Sequence, residues 1–172
     1  MKLKKSPLAP EKFPSLPSVK GLKIGTSKSN IRYKNRQDIL TVTFDNLASV
    51  AGVFTLSQIP AAPVNFCKKN LINGYAKGLV VNAGIANSFT GKKGINNNRK
   101  IANYFSKLIN ARQKDVFVCS TGVIGEQLPL LKTKRAIKSS YLSKKKNFEN
   151  AAKAIMTTDT FPKASGKSCL LY

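Results

Sequence analysis

Along the chain, Ile101, Tyr104, Phe105, Leu108 and Ile109 fall at i, i+3, i+4, i+7 and i+8, which puts them on one face of a helix. Phe148, Ala151, Ala152, Ile155 and Met156 repeat that period until the polar run Thr157-Thr158-Asp159-Thr160 and Pro162 end it. Residues 64–71 and the lysine-rich 128–142 suit two further helices. Continuous β-branched and aromatic runs at 39–44 (ILTVTF), 50–55 (VAGVFT), 78–82 (GLVVN) and 115–119 (DVFVC) predict strands, the first two paired across an Asp45-Asn46 turn. Asn73-Gly74 marks another turn. Residues 1–21 carry four prolines, each removing an N–H and restricting the residue before it, so an extended arm is expected. Strands alternating with helices predict a layered α/β fold, with two early strands adding an antiparallel part.

At 172 residues and 42% hydrophobic, the chain is long enough for one domain with a real core. We delimit it as the arm at 1–21, an α/β domain at 22–163 and a C-terminal tail at 164–172. Thirty Lys+Arg against seven Asp+Glu give a formal charge of +23. That charge favours an anionic partner, nucleic acid among them. Only five of the thirty are arginine, the residue whose fork reads bases and phosphates, so any nucleic-acid binding should be non-specific. The runs Lys2-Leu3-Lys4-Lys5 and Lys144-Lys145-Lys146 read as solvated faces, with no aromatic platform between them.

The absence of histidine excludes Ser-His-Asp and Cys-His triads and imidazole acid–base work within this polypeptide. Cys67, Cys119 and Cys169 are odd in number and lack C-x-x-C spacing, which argues against a disulfide framework or a zinc site. No metal and no cofactor are expected. No apolar run approaches the roughly 18 residues of a membrane span, and prolines interrupt the N-terminus where a signal peptide would be apolar. A soluble protein of the reducing cytoplasm is the expectation.

Two small-residue stretches could carry chemistry. Ser120-Thr121-Gly122-Val123-Ile124-Gly125 leaves the 115–119 strand as a loop whose backbone N–H groups and Thr hydroxyl could meet a developing oxyanion, as acyl transfer requires. Its bland alternative is a turn. Asn82-Ala83-Gly84-Ile85-Ala86-Asn87-Ser88-Phe89-Thr90-Gly91 is amide-rich enough to bind a polar ligand, or is a solvated loop before a helix. The following Gly91-Lys92-Lys93-Gly94 fits neither a Walker A loop nor a dinucleotide fingerprint.

Taken in order, four segments resemble the N-terminal half of the bifunctional ornithine acetyltransferase/N-acetylglutamate synthase family of arginine biosynthesis. They are residues 50–55 with Ala61-Ala62-Pro63-Val64, residues 82–91, Ser120-Thr121-Gly122-Val123-Ile124-Gly125-Glu126, and residues 154–163 (AIMTTDTFPK). The resemblance covers roughly residues 6–163. It implies the self-cleaving fold in which a precursor yields an α chain and a β chain. The new N-terminal threonine of the β chain is then the nucleophile and its own amine the base, which needs no imidazole. It further implies that Thr121 and Gly122 supply the oxyanion hole and that Thr157 contacts substrate. Acetyl would pass from N2-acetylornithine to the threonine and then to glutamate, some members also accepting acetyl-CoA, in an α2β2-like assembly.

Two positions depart from the family pattern in the first loop, where Ala83 stands for its Ser and Ile85 for its Asn. The family's Lys-Gly-rich stretch before an Ala-Thr cleavage pair is replaced by Ser165-Gly166-Lys167-Ser168-Cys169-Leu170-Leu171-Tyr172, which reads as an early stop or frame change. No nucleophile is therefore expected in this chain, and activity is expected only with a β chain. A small basic nucleic-acid-binding protein and a non-catalytic fragment are the two readings of another class.

Overall fold

The computed structural model describes residues 4–143 and 147–169. Among them, four strands form one sheet in the order β1-β2-β3-β4: β1 (Leu22–Ser27), β2 (Ile39–Ser49), β3 (Tyr75–Ile85) and β4 (Val116–Val123). β1 to β3 are antiparallel and β4 is parallel to β3. Four helices accompany them: α1 (Ala62–Leu71), α2 (Gly91–Leu108), α3 (Leu130–Ser143) and α4 (Phe148–Ile155). The layered α/β reading holds. Lys144-Lys145-Lys146, Lys2-Leu3 and Leu170-Leu171-Tyr172 lie outside the described residues.

The period-two alternation of the strands sorts the core into two faces. Ile39, Val80, Val116 and Val118 meet Ile101, Ala102 and Phe105 of α2 and Ala136 and Ile137 of α3. On the opposite face Ile24, Leu40, Val42 and Val81 receive Phe148, Ala151 and Ala154 of α4. Beyond α4, Phe44, Leu79 and Phe117 are covered by Val50, Phe54 and Leu71. α3 comes so close to β1 that a Cβ on Gly25 would lie 1.9 Å from the Ser140 carbonyl oxygen, while Thr41 Oγ1 bonds Ser140 Oγ at 2.9 Å.

Several local expectations are corrected. Residues 50–55 form no strand: Val53 is 98% exposed, and the antiparallel partner of β2 is instead β1, whose glycine and polar residues give little strand signal. Asp45-Asn46 is not a turn but part of β2, in the stretch between Thr43 and Ala48 where the register with β3 shifts. β3 and β4 run past their apolar runs, so Asn82–Ile85 and Ser120-Thr121-Gly122 are strand rather than loop; backbone pairing extends them where side-chain propensity falls. Gly91-Lys92-Lys93-Gly94 is the first turn of α2. In α4 Phe148 and Ala151 face the sheet as expected, but the fully buried residue is Ala154, and Ile155 stays 42% exposed.

β4 is an edge strand, and α1 satisfies it through side chains. Asn70 Nδ2 donates to the Val116 carbonyl at 2.9 Å, and Cys67 Sγ donates to the Val118 carbonyl at 3.1 Å while accepting from its N–H at 3.4 Å. An edge strand so occupied cannot template another chain along that part of its length. Residues 4–21 contain no helix or strand. Ser6 N–H donates to Thr160 Oγ1 at 3.2 Å, and Gly166 sits against Leu16 and Pro17, so the arm and the tail lie together.

Candidate functional site

The parallel register sets Ser120, Thr121 and Gly122 beside Asn82, Ala83 and Gly84, which joins the two motifs that the sequence singled out. Ser120 Oγ bonds Asn82 Oδ1 at 2.6 Å, and Asn82 Nδ2 donates to the Ile85 carbonyl at 2.8 Å. Both strand ends are thereby fixed from within the buried layer. Gly122 adopts φ +130°, and a Cβ there would fall 2.2 Å from the Gly84 carbonyl carbon. No other residue type fits that approach.

The backbone polarity of β4 follows from its edge bonds. Val116 and Val118 direct their backbone groups away from β3, toward Asn70 and Cys67, whereas the Val123 carbonyl accepts from Ala86 N–H at 2.9 Å on the β3 side. Alternation therefore turns the N–H groups of Ser120 and Gly122 outward, to the edge where no strand pairs. The Thr121 side chain falls on the same sheet face as Phe117 and Cys119, which is the α4 face. An outward Gly122 N–H beside a Thr hydroxyl is a pair of donors able to meet one oxyanion.

Thr157 follows α4 on that face, with its N–H donating to Asp159 Oδ2 at 3.4 Å. Lys163 bonds Asp159 and holds its carboxyl below the usual carboxylate range, against a smaller opposing effect of burial. Arg36, just ahead of β2, donates to the Met156 carbonyl. Since Ile39 pairs with Asn82 and Asn82 with Ser120, the start of β2, next to Arg36, and Thr121 share one end of the sheet.

Residues 28–38 span that end, and the sequence reading missed their part in it. Arg32 Nη1 donates to both carboxylate oxygens of Glu126, at 2.8 and 3.0 Å, and Arg32 and Tyr33 pack over Gly84, which itself has φ +110°. Buried Asp38 anchors the segment by accepting from Ser29 N–H at 2.6 Å and Ser29 Oγ at 2.7 Å. The available signal was compositional: Arg32 and Arg36 are two of few arginines in a lysine-dominated chain. Lys28, Arg36, Gln37, Lys153 and Met156, the residue before Thr157, line a cavity of about 510 Å³; Lys153 is paired with Glu149, and Lys28 and Arg36 suit a carboxylate.

In the 82–91 segment, Asn87 is buried with φ +48°; its Nδ2 donates to the Gly94 carbonyl at 3.2 Å and its Oδ1 accepts from Thr90 Oγ1 at 2.9 Å. These amides hold the β3–α2 connection together rather than face solvent. Among the described residues no His/Cys/Asp/Glu group could hold a metal ion, and no helix is long and apolar enough to cross a membrane.

An α/β sheet whose strand ends bring Asn82–Gly91 and Ser120–Glu126 together defines the class of protein, and residues 23–171 place the chain in the ArgJ family. Its relatives include the arginine biosynthesis bifunctional protein ArgJ of Rhizobium meliloti, 47% identical over 164 residues, and that of Brucella suis biovar 1, 45% identical over 167 residues. The alignments cover 95% and 96% of this chain but 40% of each relative, so the chain spans about two fifths of their length. Among solved structures, ArgJ of Bacillus halodurans superposes with a TM-score of 0.73 at 29% identity, over 82% of this chain and 74% of that one. Ornithine acetyltransferase of Mycobacterium tuberculosis, solved with ornithine, gives 0.75 at 30% identity, over 81% and 77%.

Proposed function

We propose that this chain is the α-chain portion of a cytoplasmic glutamate N-acetyltransferase of arginine biosynthesis, working with a β chain that carries the threonine nucleophile. Acetyl moves from the N2 of acetylornithine to the threonine hydroxyl, releasing ornithine, and then to the amine of glutamate. Attack on the acetyl carbonyl puts negative charge on its oxygen. The Thr121 hydroxyl and the Gly122 N–H donate to that oxygen from fixed positions, so little reorganisation is needed as the charge forms.

The observation that carries this reading is the backbone contact of Gly122 with Gly84, which fixes the end of an edge strand and leaves the Gly122 N–H pointing outward. Thr157 contacts substrate in this reading, and the cavity lined by Lys28, Arg36 and the adjacent Met156 suits the carboxylate that acetylornithine and glutamate share. The chain covers about three quarters of the matched solved chains but only 40% of the full-length relatives, which fits an enzyme present as two chains.

The test is co-expression of this chain with the C-terminal portion of a relative, followed by an assay of acetyl transfer from N2-acetylornithine to glutamate. Transfer by the assembled pair and none by either part alone is expected. Transfer by this chain alone, or none by a folded and assembled pair, overturns the proposal.

A further inference from the structure

A feature outside the acetyl-transfer machinery lies where α1 meets β4. Cys67 is buried at 6% exposure, and its sulfur is held by both backbone groups of Val118, the residue immediately before exposed Cys119. Both thiols line one apolar cavity of about 270 Å³ with Phe44, Phe54, Leu71 and Phe117. The two thiols lie near enough along this wall to shift each other's ionisation. Cys119 is held below the usual thiol range by the neighbouring Cys67, although its apolar surroundings oppose this. Cys67 is pushed up by the neighbouring Cys119 and by burial.

We propose that Cys119 and Cys67 form a two-thiol redox site in which peroxide oxidises Cys119 and Cys67 resolves it as an intramolecular disulfide, fastening α1 to β4 one residue before Ser120. The exposed sulfur of Cys119 is the one a small oxidant reaches, and the nucleophile toward peroxide is its thiolate. Its sulfur attacks one peroxide oxygen, the O–O bond breaks, and the departing hydroxide takes a solvent proton to leave as water. Cys119 is now a sulfenic acid, whose sulfur is open to attack by a second thiol. The Cys67 sulfur attacks the Cys119 sulfur, the S–O bond breaks, and the hydroxide leaves with the Cys67 proton as a second water. Two thiols are oxidised and one peroxide is reduced to two waters. In the product Cys67 has no proton to donate to the Val118 carbonyl, so the edge of β4 loses one of its side-chain partners.

The site is independent of acetyl transfer and is tested on the chain itself. The reduced protein, freed of reductant, is treated with equimolar hydrogen peroxide and then digested without reduction. The expected result is a Cys67–Cys119 linked peptide, loss of two of the three titratable thiols and reversal by dithiothreitol. Cys169→Ser should form the same link, and Cys67→Ser should accumulate a dimedone-reactive Cys119. If Cys67→Ser fails to fold, the peptide map of Cys169→Ser carries the test alone. A Cys119–Cys169 link, a disulfide between two chains, or Cys119 oxidised without attachment to Cys67 overturns the proposal.

Discussion

Gly122 and Gly84 are in backbone contact: a Cβ on Gly122 would sit within 2.2–2.7 Å of the Gly84 carbonyl carbon, oxygen and Cα. Gly122 also holds φ +130°, where an L side chain is strained. Gly122→Ala must therefore push β4 from β3 or force the backbone out of its conformation, at a cost on the order of 3 kcal/mol, or about 10 °C in melting temperature. Gly74 has φ +71° but nothing within 4 Å of an added Cβ, so Gly74→Ala should cost only about 1 kcal/mol. Thermal melts of the two variants should separate clearly; equal shifts would show that the β3–β4 approach imposes no constraint.

Asn98 sits in the middle of α2 at 1% exposure, and neither atom of its side-chain amide has a hydrogen-bond partner among the described residues. A buried amide left without partners costs about 1–3 kcal/mol, which a leucine, branched at the same carbon but apolar, avoids. Asn98→Leu should raise the melting temperature by a few degrees. A fall would mean that the amide is partnered in solution.

Asp159 gives a prediction in pH. Its carboxyl is lowered first by the hydrogen bond from Lys163 and further by the Thr157 N–H. A folded value below the reference of 3.8 means that the contact stabilises the turn fully above that pH and loses its effect as pH falls through the folded value. The side chains are partly exposed, so the contribution to global stability is small. Carboxyl NMR titration should show Asp159 moving up toward 3.8 in Lys163→Ala. An unchanged midpoint would remove Lys163 as the cause.

The sequence revealed those elements that carry their own register. Ile101 and Phe105 are fully buried and Tyr104, Leu108 and Ile109 pack beside them, because an amphipathic helix records its buried face in its spacing. Strand β1 was hidden because Gly25 and Ser27 owe their place to β2 and to the close approach of Ser140, which no local pattern encodes. Residues 50–55 misled for the converse reason: β-branched residues have strand propensity, but without a neighbouring strand Val53 points to solvent. At the candidate site, the motif residues were legible as small and polar. Their union depended on the parallel β3–β4 register, and the clasp of Arg32 on Glu126 joins residues far apart in the chain.

If Thr121 and Gly122 stabilise an oxyanion, Thr121→Ala must slow the assembled two-chain enzyme, and kcat is measured on quantified folded protein beside a melting curve. The substitution deletes a hydroxyl donor and keeps the backbone, so kcat should fall by roughly 10² to 10³ with KM changed far less and the melting temperature nearly preserved. A near-normal kcat with a lowered melting temperature would rule out the oxyanion role and leave Thr121 a structural residue at the end of β4.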